Sequence, residues 1–215
     1  MPSSSRARAL AEVQKAQRAK ERRSRFLVVG GVSLVVLALV GAVVFAVRTE
    51  SANKPSLDAV KTFEGVTATH VTTPVTYKEN PPVGGDHNPV WLNCGVYDAP
   101  VKNELAVHSL EHGAVWVTYR SDLPAAQVKT LTDNVPDTYM VVSPVDDLRA
   151  PVIASAWGAQ LELTGADDPR LEEFIQKYRQ GPQTPEPGAA CTGGSDGTDG
   201  TYPTGAAAPS PSPSS

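Results

Sequence analysis

The sequence predicts an α+β protein: one N-terminal transmembrane helix, then a small mixed-sheet extracytoplasmic domain with two main helices. Three observations lead there. Residues 26–47 are a run of 22 without a charge, in which Ser33 is the only polar side chain. Beyond it, short β-rich runs at 114–119, 139–142 and 152–156 alternate with stretches of helical spacing, the pattern of a mixed domain. The two cysteines, Cys94 and Cys191, both follow the apolar run.

As a helix, the apolar run would extend roughly 33 Å, enough for a hydrocarbon layer of about 30 Å. The segment expected to span is 26–48. Arg22, Arg23 and Arg25 precede the run and Arg48 alone follows it, so the positive-inside rule puts residues 1–25 in the cytoplasm and the rest outside. Residues 1–25 carry 8 basic and 2 acidic side chains, whereas the chain as a whole has a net charge of −4. That basic segment suits an anionic inner leaflet. No aromatic side chain is interleaved with its charges, so nucleic acid is not an expected partner. A cleaved signal peptide is the competing reading, with Val44-Phe45-Ala46 as a weak cleavage pattern. The apolar run is longer than the ~7–15 residues of a signal h-region, which favours a retained anchor at the cell membrane.

The polar stretch 49–63 reads as a tether and 64–192 as the outer domain. Residues 70–77 are β-like, but Pro74 restricts them to an edge or an extended segment. Residues 80–89 are dense in Pro and Gly and form a defined loop carrying His87. Gly84-Gly85 has neither phosphate-loop spacing nor a following lysine, so no nucleotide is expected. Asn103 is placed to cap a short helix over 104–112. The strand at 114–119 is apolar at nearly every position, so both its faces should be covered. Ser121 or Asp122 caps the next helix, with Pro124 in its first turn and Val128, Leu131 and Val135 as its buried stripe. Strands follow at 139–142 and 152–156, and 160–163 extends the second past a bulge or bend at Trp157-Gly158. Asp168-Pro169 opens a last helix whose buried face is Leu171, Phe174, Ile175 and Tyr178, and Gly181 ends it. From 193 to 215 the composition is that of a disordered tail.

Two of the chain's four histidines fall in His108-Ser109-Leu110-Glu111-His112-Gly113. Residues i and i+4 share a helix face, so His108 and His112 can point at one spot with Glu111 beside them. Adding His87 from the loop gives a candidate divalent-metal site of His87, His108, His112 and Glu111, with His70 as a further candidate. Imidazole suits zinc and copper, and Met140 is the only thioether outside, which disfavours soft Cu(I) binding. Outside the cytoplasm, Cys94 and Cys191 are most simply a disulfide; the alternative uses Cys94 as a metal ligand or, if free, as a nucleophile. His-x-x-Glu-His also matches the inverted zinc-peptidase pattern. That chemistry needs a longer helix than Gly113 allows, and a carboxylate from elsewhere, such as Glu172 or Glu173.

Pro81-Pro82-x-Gly84-Gly85-x-His87, Cys94-Gly95-Val96-Tyr97 and Glu104-x-x-Val107-His108-x-Leu110-Glu111-His112-Gly113, followed by Val115 and Tyr119, resemble the family catalogued as domain of unknown function 3105, found mainly in bacterial membrane-anchored proteins. The likeness covers roughly residues 64–192. Gly84 departs from it, since serine is expected there. The resemblance implies domain boundaries and no activity. The function expected is a membrane-anchored extracytoplasmic domain that binds copper or zinc through its histidine cluster. The alternative is a non-enzymatic cell-envelope module, binding or assembling with an envelope protein, whose His/Glu network is structural. A zinc metallohydrolase is the third reading, and no catalytic residue is assigned.

Overall fold

The computed structural model describes residues 15, 18, 31, 33–45 and 54–197. The chain divides into two compact units, Met1–Lys54 and Pro55–Ser215. In the first, residues 33–45 are helical and expose large apolar side chains such as Leu34, Leu37 and Phe45. Among the described residues no helix is long and apolar enough to cross a membrane. The transmembrane segment expected over 26–48 lies partly outside them, as do most of the basic segment and residues 198–215.

The second unit is a six-stranded mixed sheet in the order β1-β6-β5-β3-β4-β2. Its strands are β1 (Lys61–Thr62), β2 (Gly95–Val96), β3 (Val115–Arg120), β4 (Met140–Val145), β5 (Val152–Ala156) and β6 (Ala159–Leu163). Helices α1 (Asn103–Glu111), α2 (Ala125–Asn134) and α3 (Arg170–Tyr178) complete it. β2, β3 and β4 run parallel, while β3/β5, β5/β6 and β6/β1 are antiparallel. Parallel neighbours need a crossover, which α1 and α2 supply; β5 and β6 need only the turn at Trp157-Gly158. That turn is a tight hairpin rather than the expected bulge, with Gly158 at a φ of +64° and Ala156 paired with Ala159.

Alternation along the strands sorts the core into two layers. Val115, Val117 and Tyr119 of β3 face Leu131 of α2 and Leu171, Phe174, Ile175 and Tyr178 of α3. Trp116 faces the other way, with Val141, Ile153, and Leu105, Val107 and Leu110 of α1. Both faces of β3 are covered, as its unbroken apolar run predicts. α3 has the expected buried stripe; Pro169 rather than Asp168 takes its N-cap position, and Asp168 just before it accepts the Arg170 N–H on Oδ1 at 3.1 Å. α1 begins at Asn103 itself, so Lys102 rather than Asn103 takes the N-cap position, without a side-chain bond.

Two boundaries differ from the expected ones. Leu57 and Val60 pack on the core and Lys61–Thr62 pairs with β6, so the end of the expected tether is part of the domain. At the other end, the Ser195 N–H donates to Trp91 O at 2.8 Å and the Asn93 N–H to Ser195 O at 2.7 Å, so residues 193–197 are docked, not tail. In both cases backbone pairing overrides a polar composition that carries no apolar pattern. Phe174 is fully buried in the α3 layer. Phe174→Ala is expected to cost about 3–5 kcal/mol of unfolding free energy, read as a lower denaturant midpoint with an unchanged slope.

Candidate metal centre

α1 is buried on every side from Glu104 to Glu111. A helix with glutamates, histidine and serine among those residues cannot be immersed unless each polar group finds a partner. An arm formed by residues 69–93 provides them. Glu104 accepts the Val75 N–H at 2.8 Å, and Ser109 Oγ donates to Leu92 O at 2.6 Å. The Leu92 N–H donates to Leu105 O at 3.0 Å. Within the arm, His70 and His87 form a parallel bridge, with the Val71 N–H on His87 O at 2.7 Å and the His87 N–H on Thr69 O at 2.9 Å. Gly84 stands where the family resemblance leads to serine; its φ is +139°, and a Cβ there would come within 2.5 Å of Val66 Cγ1. The arm therefore packs as closely as it does because that residue is glycine.

A second segment, 180–195, straps across the end of α1. The Gln180 N–H donates to Gly113 O at 2.9 Å and the Glu186 N–H to Glu111 O at 3.1 Å. Gly113 has a φ of +95°, and any side chain there would run into Gln180. Cys191 is disulfide-bonded to Cys94, with a Cα–Cα distance of 5.3 Å. Cys94 is thereby neither a metal ligand nor a nucleophile.

These three pieces orient the imidazoles. His87 Nδ1 lies 2.7 Å from Gly85 O, His108 Nδ1 2.6 Å from Asn88 O, and His112 Nδ1 2.6 Å from Ala190 O. A carbonyl oxygen only accepts, so each Nδ1 must carry the hydrogen and donate it. Each neutral ring then presents its Nε2 as a lone pair, the tautomer that ligates a metal. Those lone pairs turn inward. His87 Nε2 is 2.9 Å from Glu111 Oε2, and His108 Nε2 is 2.9 Å from His112 Nε2. His70 Nε2 is 3.6 Å from the same Glu111 oxygen. His87, His108, Glu111 and His112 are buried, while the His70 side chain is 45% exposed.

Acceptor facing acceptor at 2.9 Å is repulsive unless something positive lies between. Only a proton or a metal cation fits that description. Burial works against the proton: it pushes the His108 pKa down to about 3, although the Asn88 carbonyl favours the charged ring, and the neighbouring histidines push the same way as burial. Burial also lowers the His112 pKa, against the Ala190 carbonyl, Glu186 and Glu111. Glu111 is different. Burial pushes its pKa up, but the His87 hydrogen bond and the surrounding imidazoles outweigh that, so it is held below its ordinary value as a carboxylate. Its ion-pair partners among the described residues are His87 and His70, with no lysine or arginine.

His70, His87, His108 and Glu111 each offer a ligand atom, and all these atoms lie within 4.8 Å of one another. With Zn–N bonds of about 2.0–2.1 Å, neighbouring ligands of a tetrahedral zinc are roughly 3.3 Å apart. The His87–Glu111 and His70–Glu111 distances of 2.9 and 3.6 Å bracket that spacing, and the remaining donors, within 4.8 Å, need to close by at most about 1.5 Å. Three of the four residues singled out in the sequence, His87, His108 and Glu111, are brought together. The fourth is His70 rather than His112. Successive helix residues lie about 100° apart, so Glu111 and His112 diverge around the axis with His108 between them. His112 stays beside His108 and does not join the compact set.

Trp157 stands edge-on to His87 at 5.9 Å, and Trp91 lies 5.8 and 5.2 Å from the rings of His108 and His112. These indoles wall the site. Among the described residues the long helix that the peptidase pattern needs is not formed: α1 ends at Glu111, and Glu172 and Glu173 belong to α3, whose apolar face packs in the other core layer. His70, a further candidate in the sequence, and Glu186, which the sequence did not single out, come from segments without helical periodicity. The bridge that aligns His70 with His87 is what brings His70 to the site, and nothing in the composition signals it.

The neutral imidazoles make stability depend on pH. His108 has a lowered pKa in the folded chain and an ordinary one, near 6.5, when unfolded. Between about 6.5 and about 3 the unfolded chain therefore holds more protons, and folded stability falls as pH falls. The metal-free protein is expected to lose on the order of 2 kcal/mol between pH 6.5 and 4.5 through this residue. Urea titrations at several pH values check it, and His108→Gln should flatten the slope.

A family model described as protein of unknown function (DUF3105) matches residues 70–193. No curated protein and no solved structure matches the chain.

Proposed function

This chain belongs to the DUF3105 family, and for it we propose a function in binding a divalent transition metal, zinc or copper(II), through the His70, His87, His108 and Glu111 cluster. The observation that carries the reading is the capture of Nδ1–H by a backbone carbonyl on His87 and on His108, which leaves Nε2 as the donor of each. Nitrogen and carboxylate donors match borderline cations. The cysteines are consumed by the disulfide, which removes the soft ligands that would select Cu(I). Glu111 supplies a negative charge that neutral imidazoles do not compensate, and a divalent cation would.

The test is metal analysis of the full chain, purified without a polyhistidine tag, loaded with Zn(II) or Cu(II) and dialysed. About one ion per chain should remain, and His108→Ala should lower retention at least tenfold. No retention under any loading condition would leave the alternative, an envelope module in which the His87–Glu111 pair is purely structural.

The same proposal places the domain outside a membrane, anchored by the apolar run at 26–48 with the basic N-terminus inside. The charge asymmetry across that run and the Cys94–Cys191 bond, which suits an oxidising compartment, support it. The chain should then remain with the membrane pellet through an alkaline carbonate wash, and protease added outside intact cells should reach the domain. Recovery in the soluble fraction, or complete protection from that protease, would overturn the placement.

A further inference from the structure

Beyond the compact cluster, the donors continue. His112 Nε2 faces His108 Nε2 at 2.9 Å and lies 3.7 Å from Glu186 Oε2. The whole series runs from His70, through Glu111 and His87, then His108, then His112, to Glu186. Its two ends are open, with side-chain exposures of 45% at His70 and 53% at Glu186, while the groups between them are buried. The contact between His108 and His112 poses the same difficulty as that between His87 and Glu111. Both rings donate Nδ1–H to carbonyls, so two Nε2 lone pairs oppose each other at 2.9 Å. A cation in the first cluster takes the His108 lone pair and leaves that of His112 without a partner. The distances 2.9 and 3.7 Å again lie on either side of the roughly 3.3 Å between neighbouring ligands of a tetrahedral cation. Trp91, against both rings, keeps its Nε1–H buried without an acceptor among the described residues.

We propose that His108, His112 and Glu186 form a second cation position, and that one divalent transition-metal ion exchanges between it and the His70, His87 and Glu111 position. This rests on the reading of the cluster as a metal site. His108 Nε2 has a single lone pair, so it serves one ion at a time and makes the two positions alternatives. The ion is passed across His108 with no change of oxidation state. Since one position opens at His70 and the other at Glu186, the protein takes up a metal at one rim of the site and releases it at the other. Its role is then transfer of the ion rather than storage or catalysis.

Electron paramagnetic resonance of Cu(II) on the full chain tests this. At one equivalent, the wild type should show two overlapping copper spectra with a total of one ion per chain. Glu186→Gln changes an exposed side chain and leaves the fold intact; it should deplete one spectrum at least tenfold, and His112→Ala should deplete the same one. His70→Ala should enrich that spectrum at the expense of the other. A single wild-type spectrum untouched by Glu186→Gln overturns the second position, as does independent binding of two ions. Failure of the wild type to bind copper or zinc at all overturns the cluster reading as well, so the two failures are distinguishable.

Discussion

Three backbone carbonyls, those of Gly85, Asn88 and Ala190, determine what this domain can do. Each takes the Nδ1–H of one buried imidazole and so fixes both the ring's orientation and its tautomer. Side chains alone could not do this, since a histidine held only by packing can flip its ring or exchange its proton. The carbonyls come from irregular chain, two from the arm and one from the strap, where backbone acceptors are not used up by a sheet or helix. Irregularity in these segments is what leaves such acceptors free.

The same logic explains why α1 is immersed. Its apolar residues would suffice for a half-buried helix on the sheet, yet its polar face is also covered. The arm bonds to that face through backbone groups as well as side chains, so the polar residues are satisfied and water is displaced. Low local polarity then strengthens every charge interaction within, including the demand of Glu111 for a positive partner.

The elements with strong periodicity were legible in the sequence. The α3 stripe, the fully covered β3, and β5 all sit close to where their patterns place them, whereas 160–163, expected to extend β5, turns back as the separate antiparallel β6. Of the site, His108, Glu111 and His87 were legible because helix geometry and a stiff Pro-Gly loop constrain them. The exchange of His112 for His70 was not. It depends on how far around the helix axis two consecutive residues point, and on one bridge between segments whose composition says nothing about pairing. Glu186 was hidden for a similar reason, lying in a Pro-rich stretch that only its contacts with α1 bring to the site. β1 escaped notice because a two-residue strand has no period to detect.

The Cys94–Cys191 bond divides the site topologically. His108, Glu111, His112 and Glu186 lie within the covalent ring it closes, whereas His70 and His87 lie on the arm outside it. Any local opening of the arm from α1 would take two imidazoles with it without breaking the covalent ring. Holding power for any ligand becomes tied to the docking equilibrium of that arm. A ligand gripping both sides would clamp it shut, and whatever loosens it would weaken the grip without unfolding the domain.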